Sequence, residues 1–177
     1  MKLYRKIVGV RVYLSPFDAE DAEMCAKWAE WMNDEVIGEY YGGTNRLVSL
    51  SSAKSMFAEF TGYRFTIALC ETDEAIGHVS LHNVDNISRT AFLGIFIGDE
   101  DKRGRGYGSE AIRLALGYGY GMLNLNNVAL TVHADNSAAI ACYEKIGFRE
   151  CGRQREWVFK NGKYVDKLCM ELLEREF

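Results

Sequence analysis

Apolar and polar residues recur at two spacings along the chain, and these spacings divide it into strands and helices. Alternation at every second position over residues 8–14 predicts a first strand. Apolar positions three or four apart predict a helix over 18–32, with Asp18 as its N-cap. A second helix is predicted over 51–60. The stretch before it, residues 38–49, is rich in glycine, tyrosine and polar residues and is typical of a long loop.

Further along the chain, three runs at 63–70, 75–84 and 89–97 predict antiparallel strands, with turn-forming residues at both connections. The remaining pattern predicts a helix with an apolar stripe over 111–122, a strand over Asn127–His133, a helix over 136–146 that ends at Gly147, and a hairpin of strands 148–159 and 164–172 across Asn161-Gly162. Three glycines interrupt the helical stripe, so that helix either packs closely on a sheet at these points or frays early. They are Gly117, Gly119 and Gly121.

This order of elements predicts one domain over residues 1–177 of the α+β, or mixed α/β, class. We expect a central, mostly antiparallel twisted sheet of about seven strands with four helices. The length of 177 residues fits a single domain, and no repeat, low-complexity tract or proline- and serine-rich linker divides the chain.

Charge and cysteine content exclude several kinds of protein. The 25 acidic side chains outnumber the 21 basic ones, which argues against a general binder of nucleic-acid backbones. No apolar run approaches the ~20 residues that cross a bilayer, so no membrane association is expected. The five cysteines form no CxxC motif and no Cys/His cluster with metal-ligand spacing. Without a signal peptide before them, a reducing cytoplasm is the expected compartment, and no metal is predicted.

A glycine-rich segment lies between a predicted strand and a predicted helix. Gly104, Gly106 and Gly108 alternate there with other residues. Glycine permits positive φ and close approach of a ligand to the backbone, and the free N–H groups at a helix start attract anions. Arg103 and Arg105 add positive charge, so a diphosphate site is predicted, with an ordinary strand-to-helix turn as the alternative. The segment lacks both the Gly-Lys-Ser/Thr of a P-loop and the βαβ setting of a dinucleotide site.

Asn136 and Tyr143 lie seven residues apart in a predicted helix, with Ile140 between them. That spacing places the amide and the phenol on one helix face. Helix capping alone would explain Asn136, and core packing alone would explain Tyr143. The residues by themselves leave these alternatives open.

Together the two segments resemble the GNAT superfamily of acyl-CoA-dependent N-acetyltransferases. The family's Arg/Gln-x-x-Gly-x-Gly/Ala signature is matched by Arg103, Gly106 and Gly108. Its Asn-x-x-Ala-x-x-x-Tyr-x-x-x-Gly-Phe helix is matched by Asn136, Ala139, Tyr143, Gly147 and Phe148. The element order agrees over nearly the whole chain. The final strands, from Trp157 to Met170, resemble the branch that holds ribosomal-protein alanine acetyltransferases and spermidine acetyltransferases.

The resemblance implies transfer of an acetyl group from acetyl-CoA to a primary amine, by direct attack on the thioester and without a metal. It implies that backbone groups near Phe96 and Ile97 hold the pantetheine arm and the thioester carbonyl, and that Asn136 contacts the pantetheine or an ordered water. Tyr143 would stand near the sulfur as general acid, and Ala139 would also contact the cofactor. The implied pyrophosphate cradle consists of Arg103, Gly104, Arg105, Gly106, Tyr107, Gly108 and Ser109.

The general base is not settled by the resemblance. Relatives often carry a carboxylate on the fourth strand beside the position of Phe92, and phenylalanine cannot accept a proton. Glu39 and His82 are the candidate bases in this chain, and His133 is a third. Loss of the proton to bulk water through polar groups is the remaining route.

Glu39, Tyr40 and His82 are also the predicted amine-binding residues. An acidic and aromatic rim would attract a cationic amine, although Tyr40 and Tyr41 could equally cover the edge of the core. The expected acceptor is a small-molecule amine or a protein N-terminus, and a homodimer is possible for a chain of this kind. The alternatives to an enzyme are a non-catalytic acyl-CoA-binding sensor and a nucleotide-phosphate binder.

Overall fold

The computed structural model describes residues 1–42 and 47–177, which contain a single eight-stranded sheet. The strands are β1 (Ile7–Val8), β2 (Val12–Pro16), β3 (Gly62–Leu69), β4 (Ala75–Asp85), β5 (Thr90–Ile97), β6 (Asn127–His133), β7 (Arg149–Lys160) and β8 (Lys163–Leu173). The sheet order is β1-β2-β3-β4-β5-β6-β8-β7, and all neighbours are antiparallel except β5 and β6. The predicted mostly antiparallel sheet is confirmed, with one strand more than expected.

Five helices accompany the sheet in the described part of the chain. They are α1 (Ala22–Met32), α2 (Glu35–Ile37), α3 (Leu50–Ala58), α4 (Tyr107–Gly121) and α5 (Ser137–Ile146). The sequence pattern predicted four and missed α2, which is a single turn that leads into a π-helical turn over Gly38–Gly42. The predicted loop over 38–49 is therefore helical at its start, and residues 43–46 lie outside the described residues. None of these helices is long and apolar enough to cross a membrane.

The prediction of a single first strand over 8–14 is wrong, because the structure has two strands there, β1 and β2. The N–H of Gly9 donates to the carbonyl of Val12 over 2.9 Å and closes a turn between β1 and β2. The carboxylate of Glu110, in the first turn of α4, accepts the N–H groups of Val10 and Arg11, each over 2.8 Å. A partner about a hundred residues away in the chain thus stabilises a break that the local alternation does not show.

The predicted start of the first helix is also corrected. Asp21, not Asp18, is the N-cap of α1, because its carboxylate accepts the N–H of Met24 over 3.0 Å. Asp18 instead accepts the N–H of Glu20 over 2.9 Å, in a turn that precedes the helix. Both aspartates can satisfy a backbone donor two or three residues ahead, so the sequence does not distinguish them.

Helices cover both faces of the sheet. On one face, α1 and α3 contribute Trp28, Trp31 and Phe57, which cluster with Phe96 of β5. On the other face, α4 packs its apolar side on β4, β5 and β6, and α5 packs beside it. Because side chains alternate along a strand, residues of β5 reach both layers. The centre of the sheet is therefore the place where groups from both faces can meet.

Gly117 lies in the interior of α4, where we expect Gly117→Ala to stabilise the fold. An added Cβ would have no atom within 4 Å, and replacing glycine by alanine in a helix interior gains about 1 kcal/mol. Urea unfolding should show a higher midpoint with an unchanged slope. Gly119→Ala is the matched control, since its Cβ would lie 3.0 Å from Leu81 and 3.2 Å from Leu125. Equal midpoints for the two variants would contradict this interpretation of α4.

Candidate active site

β5 and β6 separate halfway along their length. They pair in parallel only as far as Phe92 and Ala129. Beyond these residues β5 stays paired with β4 as far as Ile97, while β6 stays paired with β8 as far as His133. A wedge therefore opens between two adjacent strands at the centre of the sheet. It forms part of a cleft of about 1100 Å³.

Backbone groups of β5 point into this wedge at every second residue. The N–H of Gly98 donates to β4 over 2.8 Å, and the carbonyl oxygen of Phe96 lies against Gly77 of β4. Because the hydrogen-bonding direction alternates along a strand, Ile95 and Ile97 direct their N–H and C=O groups into the wedge. The backbone groups available for the predicted contacts near Phe96 and Ile97 are therefore those of Ile95 and Ile97, and Phe96 contributes its ring to the other face.

The glycine-rich loop leads into the N-terminus of α4. Gly104 and Gly106 have φ values of 70° and 84°, which favour glycine. The first hydrogen bond of the helix runs from the N–H of Glu110 to the carbonyl of Gly106 over 3.2 Å. The N–H groups of residues 107–109 therefore have no partner within the helix, and these residues line the cleft. With the helix dipole they form a backbone site for an anion.

The two arginines of the loop are placed differently from one another. The guanidinium of Arg103 donates to the carbonyls of Ile97 and Gly98 over 3.1 and 2.6 Å. It also donates to the carboxylate of Asp34, the N-cap of α2, over 3.0 Å. Arg103 lines the cleft and connects the loop to β5 and α2 through these hydrogen bonds. Arg105 is exposed and is not among the described residues that line the cleft. The phosphate contact of Arg105 therefore stays a prediction.

Lysines bring positive charge to the anion-binding end of the cleft. Lys102 precedes the loop and lines the cleft, although it also contacts the carboxylates of Asp101 and Glu74 at 3.0 and 3.4 Å. Lys145 lines the cleft from α5. Together with the guanidinium of Arg103, these two ammonium groups are the cationic groups at this end of the described cleft lining.

α5 forms the opposite wall of the cleft and carries both Asn136 and Tyr143. Asn136 is its N-cap, since its side-chain oxygen accepts an N–H three residues on over 3.1 Å. Tyr143 packs edge-on against Phe148 at a centroid distance of 5.9 Å. Burial raises the pKa of the Tyr143 phenol, and Cys142 and Tyr41 nearby add to the shift. The phenol is therefore protonated at neutral pH and available as a donor.

A small polar space adjoins the cleft beside Gly94 of β5. A Cβ at this position would lie 3.1 Å from the hydroxyl of Tyr41, 3.3 Å from the hydroxyl of Ser80 and 3.5 Å from the ring of His82. Aromatic rings flank His82 on two sides, at centroid distances of 6.2 and 6.1 Å. The absence of a side chain at Gly94 thus leaves room among three polar groups.

The three histidines of the chain are neutral at pH 7. His78 is 3% exposed, and burial, with smaller contributions from Arg64 and His82, lowers its pKa to about 3. Burial also lowers the pKa of His82. Burial and then the charge of Lys160 lower the pKa of His133. The Nδ1 atoms of all three are buried and without a hydrogen-bond partner among the described residues. Of the three, His82 and His133 line the cleft.

The predicted rim of Glu39 and Tyr40 is present, and a lysine of the same chain binds to it. The ammonium nitrogen of Lys160 lies 2.6 Å from a carboxylate oxygen of Glu39 and 2.6 Å from one of Asp135. It also lies 4.2 Å from the centroid of the Tyr40 ring, which is itself 5.7 Å from the ring of His133. This ion-pair cluster joins the π-helical turn, the end of β7 and the loop before α5.

The arrangement of wedge, anion-binding loop and Tyr143 lies within one recognised domain. A family model described as an acetyltransferase (GNAT) domain matches residues 11–149. The chain belongs to the GNAT acetyltransferase family. It is an acetyl-CoA-dependent N-acetyltransferase, and the predicted family, fold, enzyme class and co-substrate are confirmed. The matches support neither the sensor nor the nucleotide binder. Among the described residues, no group of three His, Cys, Asp or Glu side chains could hold a metal ion.

Two named GNAT relatives illustrate the range of acceptors. The chain is 37% identical over 172 residues to a protein named putative ribosomal N-acetyltransferase YdaF from Bacillus subtilis, covering 93% of this chain and 90% of that protein. It is 36% identical over 102 residues to spermidine N(1)-acetyltransferase from Vibrio cholerae, covering 58% of each. The structure also superposes on Vibrio cholerae spermidine N-acetyltransferase in complex with CoA and spermine, with a TM-score of 0.83, 26% identity and coverage of 94% and 97% of the two chains.

Some residues at this GNAT site were not singled out from the sequence, among them Ile95, Lys102, Lys145 and Lys160. Ile95 shares the two-residue period of Ile97, and Lys145 follows the helical spacing of Ala138 and Ala141, so both left a signal. The sequence carries no signal for the position of Tyr41 against Gly94. It also carries none for the pairing of Lys160 with Glu39. This pairing joins residues 121 positions apart, which local pattern does not report.

Proposed function

We propose that the acceptor amine enters on the sheet face of Tyr41 and His82, and that the acetyl thioester lies in the wedge between β5 and β6. The observation that carries this proposal is that the wedge opens through the sheet, so that groups from both faces line one cleft. Tyr143 on α5 comes from one face and His82 on β4 from the other. The cofactor loop at the N-terminus of α4 would bind the pyrophosphate.

The proposed oxyanion donors are backbone N–H groups of β5. Attack of the amine nitrogen on the thioester carbon places negative charge on the carbonyl oxygen. The N–H groups of Ile95 and Ile97 face the wedge where that oxygen would lie. As the carbon–sulfur bond breaks, the protonated phenol of Tyr143 donates a hydrogen bond and then its proton to the sulfur. Asn136 and Ala139, at the start of α5, would border the pantetheine arm.

The proposed general base is His82. An alkylammonium with a reference pKa near 10.4 is almost entirely protonated at pH 7 and must lose a proton before it attacks. His82 is neutral and stands beside Ser80 and Tyr41, whose hydroxyls can bridge to the amine through water. Glu39 is the less suited candidate, because its carboxylate is held by Lys160 over 2.6 Å. We assign to Glu39 the positioning of Tyr40 at the acceptor end.

The acceptor that we propose is a primary amine on a small molecule or at a protein N-terminus. The names of the relatives point to both classes, and the cleft is wide enough for either. We also propose a homodimer in which the β7–β8 hairpin takes part, because Trp157, Phe159 and Tyr164 are 61%, 59% and 63% exposed there. Sedimentation of the wild type and of Trp157→Ser would test it. A reducing cytoplasm remains the proposed compartment, as the five cysteines are free thiols.

We expect His82→Gln to lower kcat by about 30-fold, with little change in acetyl-CoA affinity. Glutamine keeps the polarity and approximate size of the side chain but cannot accept a proton. The effect is smaller than the ~100-fold or more that is typical of a general base, because water through Ser80 and Tyr41 can still remove the proton. Thiol release at saturating amine, together with acetyl-CoA titration, would measure both quantities.

The pH dependence of kcat provides the control for His82. Since burial lowers its pKa below the ordinary 6.5, the imidazole stays neutral down to below that pH. The wild-type kcat should therefore fall on the acid side only below pH 6.5, as His82 takes up a proton. His82→Gln should lose this decline. If kcat of the variant fell at low pH in the same way as that of the wild type, another group would be the base.

A further inference from the structure

The cleft is poor in negative charge. Asp135 is the only carboxylate among the described residues that line it. Among these same described residues, the cationic side chains that line it are Lys102, Arg103, Lys145 and Lys167. Residues 43–46, outside the described part of the chain, contain no aspartate or glutamate. The first three cations lie at the cofactor end, where they suit phosphate groups. Lys167 lies at the other end, paired across the sheet with His133.

A single ammonium of the same chain already contacts both carboxylates next to the acceptor end. The side chain of Lys160 is 4% exposed, and its ammonium contacts both Glu39 and Asp135 at 2.6 Å. Burial by itself lowers the pKa of Lys160, but the hydrogen bonds to Asp135 and Glu39 outweigh it and leave the pKa above its ordinary value. Lys160 is thus a permanent cation with the stacked ring of Tyr40 as its third neighbour. An incoming ammonium would have to compete with it for both carboxylates.

A second positive charge lies behind the polar space that holds His82. Arg64 of β3 is stacked over Phe60 and Phe57 at 3.8 and 4.7 Å from the ring centroids. Burial lowers its pKa to about 10, so the guanidinium is still charged at neutral pH. Among the ion pairs of the described residues, neither Arg64 nor Lys167 has a carboxylate partner. The electrostatic potential at the acceptor end is therefore neutral to positive.

We propose that Lys160 is a built-in counter-ion that fills the cation site at the acceptor end, so that the enzyme acetylates amines with a single positive charge and rejects polyamines. The inference rests on the proposed function, whose acceptor site it refines. A diamine or polyamine would bring its second ammonium next to Lys167 and Arg64, with no free carboxylate to receive it. A peptide α-amine, or a monoamine whose other groups are uncharged, brings one ammonium. This ammonium loses its proton and its charge before the nitrogen attacks the thioester.

The experiment compares two acceptors that differ by one charge. 1,4-Diaminobutane and 4-aminobutan-1-ol have the same chain length, and a hydroxyl replaces the second ammonium. Peptides that begin with Ser-Gln or Ser-Lys provide the same comparison for an α-amine. We expect the wild-type kcat/KM to favour the singly charged member of each pair by about tenfold, the amount expected for one unmatched charge. This measurement needs no variant and so does not depend on folding.

Lys160→Met should reverse the preference. The substitution keeps an apolar stem and releases Glu39 and Asp135, whose side chains are 25% and 42% exposed and remain hydrated. We expect kcat/KM for 1,4-diaminobutane to rise about tenfold, while that for 4-aminobutan-1-ol changes little. In the triple variant Lys160→Met, Glu39→Gln, Asp135→Asn the gain should be lost, because both released carboxylates are removed. Thermal melting checks that each variant is folded.

Two outcomes would overturn the inference. The first is a wild-type kcat/KM for 1,4-diaminobutane or spermidine equal to or above that for the singly charged acceptors. The second is a parallel loss for both acceptors in folded Lys160→Met, which would show a purely structural role for Lys160. Absence of turnover with every amine, alongside acetyl-CoA binding, would instead count against the proposed acceptor site as a whole.

Discussion

Tyr143→Phe should lower kcat by about 100- to 1,000-fold and leave acetyl-CoA binding nearly unchanged. The substitution removes one hydroxyl and keeps the ring, so the packing of Tyr143 against Phe148 at 5.9 Å is retained. Without the phenol, the departing thiolate must take its proton from water, and loss of a positioned proton donor typically costs two or more orders of magnitude. The raised pKa of Tyr143, caused mainly by burial, keeps the donor protonated across the working pH range.

Thiol release under saturating conditions and calorimetric titration with acetyl-CoA would separate the two effects. Cys142→Ser is a suitable control, because Cys142 lies next in the chain and also lines the cleft but has no place in the proposed proton transfer. Its kcat should stay within a few-fold of the wild type. A wild-type kcat in Tyr143→Phe, or an equal loss in the control, would rule out Tyr143 as the general acid.

Gly106→Asp should raise the KM for acetyl-CoA by about a hundredfold while kcat at saturation changes little. Gly106 has a φ of 84°, which strains any residue with a Cβ, and that Cβ would lie 3.2 Å from the guanidinium of Arg11. An aspartate would also place a negative charge at the free N–H groups that would bind the pyrophosphate. Strain and repulsion together are expected to cost about 3 kcal/mol, which corresponds to about a hundredfold in affinity.

Gly106→Asn separates charge from geometry. Asparagine has the shape of aspartate without its charge and tolerates positive φ better than most residues. The KM should rise by only about tenfold, and raising the salt concentration should narrow the difference between the two variants. Equal KM values for the aspartate and asparagine variants would show that no anionic group of the cofactor lies at this loop.

The elements with strong local periodicity were predictable from the sequence. The β6 strand over Asn127–His133 has the predicted bounds, and the Asn161-Gly162 turn has the positive φ values, 49° and 74°, that its residue types favour. α5 is capped by Asn136 and ends at Gly147 as predicted, because both signals lie within the helix ends themselves. For the turn and for α5 the determining interactions join residues that are close in sequence, and for β6 the signal is the alternation within the strand itself.

The features that the sequence did not show depend on partners far along the chain. The break between β1 and β2 is held by Glu110, and the π-helical turn carrying Glu39 is held by Lys160. The direction of the backbone groups at Ile95 follows from the register of β5 against β4, which a single strand pattern leaves open. The motif located the glycine-rich loop at the start of α4, but the charge balance at the proposed acceptor end follows only from the tertiary structure.

The most direct test of acetyl transfer through this cleft is a mass-spectrometric assay of product and CoA in one reaction. Wild type and Tyr143→Phe would be incubated with acetyl-CoA and, separately, with peptides beginning with Ser or Ala, 4-aminobutan-1-ol, an aminoglycoside and spermidine. We expect one acetylated amine for each CoA released, the highest rates with singly charged acceptors, and loss of both products in the variant. Tight acetyl-CoA binding without acetylation of any amine, or equal rates for the two proteins, would contradict the proposed site and mechanism.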